Sequence, residues 1–314
     1  MKKSDLITII IPTYNRAWSL PRAIDSVLKQ SSNNWRLIIV DDGSIDDTKE
    51  VISPYLKDSR IQYFYKKNGG VGAARNFGVN KVKTKYVTFL DSDDELVFEA
   101  ISKMTQDILL FNKYKVKLIL YFAKKTDNNT YVENRFKDLE ILCFNDIVKG
   151  KWPVVETIQL MDISVFNKVK FPELFGGLES ILWHEVLKDV SDALIRTIQL
   201  IIYHTEHDSR LTGRDFIVRR SMSMPELYEN FLEKFEADYM RHNRKKLAYF
   251  YIEKGLFEII RGGSNGGRKS LLQAFDINKT RFVVIMIIYV LSFLPKKIFV
   301  FISTCGHSLK SIIK

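Results

Sequence analysis

Strand-length apolar runs alternating with helix-length segments fill the N-terminal part of this sequence, and that alternation narrows the fold more than any other feature. Leu6–Ile11, Leu37–Val40, Ile61–Tyr65 and Tyr86–Leu90 are short runs of β-formers, and the segments Leu20–Gln30, Thr48–Leu56 and Val71–Asn80 between them suit helices. Parallel strands need a crossover connection, so repeated units of this length predict a parallel sheet covered by helices on both faces. Further strands are predicted at Val116–Phe122 and Ile195–Tyr203, with less regular chain between them. From about Arg214 the pattern turns helical and aromatic-rich, as in Pro225–Tyr239 and Lys245–Ile260, and Gly262–Gly267 reads as a flexible break. The expectation is an α/β domain over residues 1–212 and a helical region over residues 213–314.

Open α/β sheets bind ligands at the carboxyl ends of their strands, so the residues that close each run are the ones to read for chemistry. Pro12 is expected to end the first strand, and Thr13, Tyr14, Asn15 and Arg16 follow it with an aromatic ring and polar side chains. After the second strand come Asp41, Asp42, Gly43 and Ser44; the glycine permits a sharp turn, Asp47 is the expected N-cap of the next helix, and a carboxylate at Asp41 or Asp42 can accept from a nucleobase or ribose. Asn68–Asn76 opens the third helix with small residues and Arg75, which either faces a diphosphate or lies on the helix surface. It is not the dinucleotide fingerprint: counted from Gly70, Arg75 stands where that motif needs glycine. After the fourth strand, Asp91, Ser92, Asp93 and Asp94 place carboxylates where Asp91 and Asp93 can share one hard divalent cation and leave positions for phosphate oxygens.

In this order, Ile9–Arg16, Val40–Ser44, Gly72–Asn76 and Phe89–Asp94 resemble the family 2 inverting glycosyltransferases with the GT-A fold, many of which build bacterial surface polysaccharides. The resemblance covers residues 6–97. It implies a nucleotide-diphospho-sugar donor, usually a UDP-sugar, with Mn²⁺ or Mg²⁺ bridging protein and diphosphate. It places Pro12, Thr13, Tyr14, Arg16, Asp42, Arg75, Asp91 and Ser92 around the donor, and Asp93 and Asp91 on the metal. The family's general base lies in a Glu-Asp pair at a helix start. Glu179 matches, Ser180 stands where aspartate is usual, and Glu173 and Glu185 are in reserve. In His204–Arg210 the H-x-x-H spacing does not complete a zinc site, but His207 and Arg210 are candidates to reach the donor's metal or diphosphate. The resemblance further implies a saccharide acceptor, including one carried on polyprenyl diphosphate. Ser180 also motivates an alternative, a non-catalytic relative that binds nucleotide-sugars or glycans. A sugar nucleotidyltransferase would carry a glycine-rich basic loop after the first strand, and Pro12–Arg16 is not one.

Charge decides the remaining partner classes. The chain has 314 residues and carries +11, which suits nucleic acid, an anionic membrane or a phosphorylated ligand. An acidic strand edge repels nucleic-acid phosphates, so nucleic acid ranks last. Phe282–Leu294 and Ile298–Ile302 are apolar runs separated by Pro295, Lys296 and Lys297, with no acidic residue after Asp276. Residues 281–312 therefore read either as an interfacial helix drawn to anionic lipid or as core helices. Cys143 and Cys305 show no metal-ligand spacing and no signal peptide is read ahead of the first strand, so a cytoplasmic protein, peripheral on the membrane's inner face, is expected.

Overall fold

The computed structural model describes residues 7–125, 135–153, 155–173, 179–204 and 214–293. They form two compact units, the second beginning after His207. The first unit starts as β1 (Ile7–Thr13), α1 (Leu20–Leu28), β2 (Trp35–Asp41), α2 (Thr48–Ile52), β3 (Ile61–Tyr65), α3 (Val71–Val79) and β4 (Tyr86–Phe89). It continues as β5 (Glu95–Leu96), α4 (Ala100–Tyr114), β6 (Leu118–Lys125), β7 (Glu140–Leu142), α5 (Phe144–Val148), β8 (Thr157–Asp162), α6 (Glu179–Asp189) and β9 (Ala193–Tyr203). The strands lie in one sheet in the order β3-β2-β1-β4-β8-β6-β9-β5, with β7 paired to β9.

The βα repeats produce the expected parallel sheet in β3, β2, β1 and β4. Every residue of β1 is buried, as a strand covered on both faces requires. β1 does not stop at Pro12 but continues to Thr13 beside Asp41. The carbonyl of Ile10 accepts from Leu90 N–H (3.0 Å) on the β4 side. By the two-residue alternation, the N–H that Pro12 lacks falls on this same edge, beyond the last ladder pair Ile10–Phe89. The strand therefore tolerates the proline. α2 is shorter than its pattern because Pro54 lies in the 3₁₀ turn Ser53–Lys57 that follows it. Its first turn is capped by Asp46, which accepts from Thr48 N–H (3.2 Å) and Oγ1–H (2.5 Å), while the side chain of Asp47 makes no cap bond.

The other half of the sheet is mixed. β8 runs antiparallel between β4 and β6, and β9 is parallel to β6 and antiparallel to β5 and β7. This brings the segment before β8 and the start of α6 to the cleft beside the carboxyl end of β4.

The second unit contains α7 (Arg214–His242), α8 (Arg244–Arg261), α9 (Ser264–Ile277) and α10 (Phe282–Leu291). Phe231, Phe235, Tyr239 and Phe250 interlock there with ring centroids 4.8–5.8 Å apart. The glycine run is not a loose break. Gly262 caps α8 at φ 110°, and Gly266 and Gly267 lie inside α9. A Cβ on Gly267 would meet Ile259 Cγ1 at 2.4 Å and the Gly255 carbonyl at 2.6 Å, so the two helices pack too closely for any side chain there. The same atom on Gly266 meets nothing nearer than Glu258 Oε1 at 3.5 Å. Adjacent alanines should therefore act oppositely: Gly267→Ala destabilises by about 1–3 kcal/mol through overpacking, and Gly266→Ala stabilises by about 0.5–1 kcal/mol through helix propensity. Urea unfolding of the two variants checks the opposite signs. Among the described residues no helix is long and apolar enough to cross a membrane. The expected interfacial tail lies largely outside the described residues, which end at Phe293.

Candidate functional site

Two loops at the carboxyl edge of β1 and β2 are tied together before any ligand arrives. Asn15 holds φ 51°, the left-handed region that asparagine tolerates, and accepts on Oδ1 from Ile45 N–H (2.8 Å). Its own N–H donates to Ser44 Oγ (2.9 Å), and Ala17 N–H donates to Asp46 Oδ2 (3.0 Å). Tyr14 stays half exposed above this platform. Thr13 is buried, and its Oγ1 has no hydrogen-bond partner among the described residues. The two aspartates after β2 have separate tasks. Asp41 accepts from Tyr63 O–H (2.7 Å) and Ser44 N–H (2.8 Å), which fixes the turn. Asp42 accepts from Lys66 Nζ (2.5 Å), Gly69 N–H (3.0 Å) and Gly70 N–H (2.7 Å), so its carboxylate anchors the loop leading into α3.

The run after β4 gathers negative charge. Ser92 and Asp94 are buried, whereas Asp91 and Asp93 reach solvent. Arg16 Nη2 lies 3.6 Å from Asp93 Oδ2, and Arg22 donates to the Asp93 carbonyl (2.5 Å). Asp94 accepts from His204 N–H (3.2 Å), and His204 Nε2 meets Glu95 Oε1 at 2.6 Å. Burial and the neighbouring charges of Asp91 and Asp93 push the Asp94 carboxyl up to about 8. Burial and Asp91 likewise raise Asp93.

Facing this edge, α3 supplies a cation and a clamp. Arg75 is buried and donates to Asp91 Oδ1 (2.7 Å) and to Glu179 Oε1 at the first residue of α6. Burial alone would lower its pKa, but Glu179 and Asp91 outweigh it and hold the guanidinium firmly charged. Its fork is thus occupied by carboxylates from two elements. The next residue, Asn76, donates to the Phe171 carbonyl and to Glu173 Oε1 (both 2.9 Å) and accepts from Phe171 N–H (3.0 Å). Gly72 lets the Pro172 carbonyl approach so closely that a Cβ would stand 1.9 Å from its oxygen. The motif Gly72–Asn76 therefore docks residues 171–173 against α3 and pins Glu179.

A cleft opens among these groups, lined by Arg75, Asp91, Asp94, Glu156, Gln159, Phe171, Glu179 and Trp183 among others. Glu156 was not singled out by sequence. It is an exposed residue that lines the cleft. Partial desolvation by the cleft walls, with the charges of Asp91 and Glu179, raises its pKa. Ser180 is not among the lining residues. Glu173 is held by Asn76, and Glu185 lies a turn and a half beyond Glu179 on α6. His207 and Arg210 lie outside the described residues.

The model of "Glycosyl transferase family 2" matches residues 8–170, more than half of the chain, from β1 through β8 and short of β9. The chain belongs to this family. An uncharacterized glycosyltransferase of Rickettsia felis is 43% identical over 193 residues, 56% of this chain and 29% of that protein. The GalNAc(5)-diNAcBac-PP-undecaprenol beta-1,3-glucosyltransferase of Campylobacter jejuni is 31% identical over 191 residues, 59% of this chain and 60% of its own length. The match thus spans less than two thirds of either relative. Among solved structures, S. aureus TarS 1-349 in complex with UDP-GlcNAc is similar at TM-score 0.56 and 15% identity, covering 84% of this chain and 90% of that one. The mannosyltransferase PcManGT of Pyrobaculum calidifontis, in complex with GDP-Man and Mn²⁺, is similar at TM-score 0.56 and 12% identity, covering 98% and 84%. These likenesses establish the GT-A fold for this family 2 member.

The family's divalent cation can be tested against the donor set. Among the described residues no group of three His, Cys, Asp or Glu side chains is arranged to enclose a metal. A cation completed by substrate phosphates needs only one or two protein carboxylates, however. Asp91 and Asp93 offer hard oxygen ligands that reach solvent, and the raised carboxyls of Asp93 and Asp94 mark negative charge that Arg16 and Arg75 leave incompletely balanced. The residues of this family 2 chain fit the ion.

Proposed function

We propose that this chain is an inverting, metal-dependent glycosyltransferase. It moves a sugar, a hexose foremost, from a nucleotide-diphospho-sugar, UDP-linked before GDP-linked, to a hydroxyl of a saccharide acceptor. The observation that carries the reading is the cleft itself, in which Asp91 and Asp94 meet Glu156, Glu179 and Arg75 at the carboxyl end of β4. The nucleotide-sugars of TarS and PcManGT support the donor class, and the Mn²⁺ of PcManGT supports the ion. The PP-undecaprenol substrate of the Campylobacter relative supports a lipid-linked acceptor and a place in surface polysaccharide assembly.

The chain's own groups divide the work. Thr13, with its unpartnered hydroxyl, and Tyr14 receive the nucleoside, over a loop that Asp42 holds in place. Asp91 and Asp93 hold the cation, which when bound offsets the charge of the departing diphosphate. Arg75 keeps Asp91 and Glu179 in register across the cleft. A carboxylate of the cleft receives the acceptor's proton on the side opposite the leaving group. Exposed Met286, Ile287, Val290 and Phe293 on and just after α10, followed in sequence by Lys296 and Lys297, support association with an anionic membrane face.

Thermal unfolding with UDP, GDP or no nucleotide, each with Mn²⁺ or EDTA, tests the reading. A ligand at a hundred times its dissociation constant adds about 2.7 kcal/mol. A raised midpoint with UDP and Mn²⁺, abolished by EDTA, is expected, and the same sample should float with vesicles containing anionic lipid. No nucleotide-dependent shift under any condition would overturn the donor site, and absence from the vesicle fraction would overturn the membrane assignment.

A further inference from the structure

We propose that Glu156, rather than the carboxylate at the start of α6, is the general base. The assignment rests on the glycosyl-transfer reading above. Ser180 cannot serve as a base unaided, and it is absent from the cleft lining; its carbonyl meets His184 Nδ1 at 2.5 Å within α6. Glu179 does line the cleft but is held by the buried guanidinium of Arg75. The ion pair and hydrogen bond to Arg75 both fall on Glu179 Oε1, so this carboxylate is committed to holding the arginine. Asp91 is held by the same guanidinium, and Asp94 accepts from His204 N–H.

Glu156 differs from all of these. Among the described residues its carboxylate makes no hydrogen bond or ion pair, while its backbone is fixed by Ala123 N–H donating to its carbonyl (3.0 Å). It is a positioned carboxylate with its acceptor capacity free. Thr157, Gln159 and Trp183 share its cleft, and Trp152 stacks on Trp183 at 6.2 Å and 25°. An aromatic face beside polar side chains suits a sugar ring whose hydroxyl points at a carboxylate.

In the transfer, the acceptor oxygen forms a bond to the anomeric carbon as the bond from that carbon to the diphosphate oxygen breaks. The leaving oxygen keeps the bonding pair, and the hydroxyl proton passes to a Glu156 carboxylate oxygen. Loss of that proton to solvent restores the base. The net products are the glycosylated acceptor, the nucleoside diphosphate and one proton.

The experiment measures UDP release from UDP-glucose, UDP-galactose and UDP-GlcNAc, with water as the probe acceptor, alongside the UDP–Mn²⁺ thermal shift. Glu156→Gln should lower kcat by about 10²–10⁴-fold while keeping the shift. The fall in wild-type kcat toward acid pH should vanish in Glu156→Gln and persist in Glu179→Gln. Glu156→Asp, which retains a shorter carboxylate, should keep the acid limb and more of the rate. A wild-type rate in Glu156→Gln, or an acid limb lost in Glu179→Gln instead, overturns the assignment and leaves the transferase reading intact. Equal loss in Glu156→Gln and Glu156→Asp together with a lost thermal shift makes Glu156 structural and overturns it as well. Absence of both UDP binding and UDP release in the wild type overturns the transferase reading itself.

Discussion

Gly72→Ala is expected to lower the unfolding midpoint of the first unit by about 6–12 °C. The new Cβ would lie 1.9 Å from the Pro172 carbonyl oxygen and 2.9 Å from its carbon, and both are backbone atoms with no rotamer to escape into. Overpacking of this kind costs about 3 kcal/mol at the upper end of the usual range, and each kcal/mol moves the midpoint of a domain this size by about 2–4 °C. The structural response is as informative as the magnitude. Residues 171–173 must withdraw from α3, and the three hydrogen bonds that Asn76 makes to Phe171 and Glu173 go with them. Calorimetry of the variant checks the shift. An unchanged midpoint would mean that this segment is not seated on α3.

The origin of that contact explains what the sequence could and could not say. The first four strands and the helices between them follow from local pattern, because a buried parallel strand is a continuous apolar run wherever it occurs. β8 has no such signature: Thr157–Asp162 alternates weakly, and its place between β4 and β6 depends on partners far away in sequence. β5 and β7 are two and three residues long, too short for any period to show. Glu156 became visible only with β8. Asp91, Asp93 and Glu179 could be picked out because they belong to ordered motifs, but their partners could not. The small residues and arginine of Gly72–Asn76 suggested an anion site, and in the fold they seat a neighbouring segment and bridge two carboxylates. The glycines at 262–267 suggested slack because composition does not distinguish a linker from a close helix crossing.

Arg75→Met should separate activity from stability. The buried guanidinium pairs with Asp91 and Glu179, whose side chains are 50% and 42% exposed. Solvent screens those carboxylates once the arginine is gone, so the stability cost should be about 1 kcal/mol or less and not the several expected of a fully enclosed pair. Catalysis has no such relief. Removing one preorganised charge from a reacting site costs about 10²–10³-fold, and here Glu179 and Asp91 also lose their common tether. With the guanidinium absent, the carboxylates Asp91, Glu156 and Glu179 repel one another more, so Mn²⁺ should stabilise the variant more than the wild type. Midpoints with Mn²⁺ and with EDTA, beside the UDP-release rate, check both parts. A variant that turns over normally would show that Arg75 only packs beneath the site.

The strand order also governs how the chain is completed during synthesis. β8 joins the halves of the sheet, bonding to β4 on one side and β6 on the other, and β9 then covers the far edge of β6 and receives β5 and β7. A nascent chain that has emerged only to residue 170, where the family match ends, presents β6 with an unpaired edge. At about 5–20 residues per second, that edge stays open for seconds before Tyr203 appears. Open edges recruit other strands. A fragment cut at the family boundary would therefore be sticky for a topological reason, and the shortest piece able to close its own sheet runs through the last residue of β9.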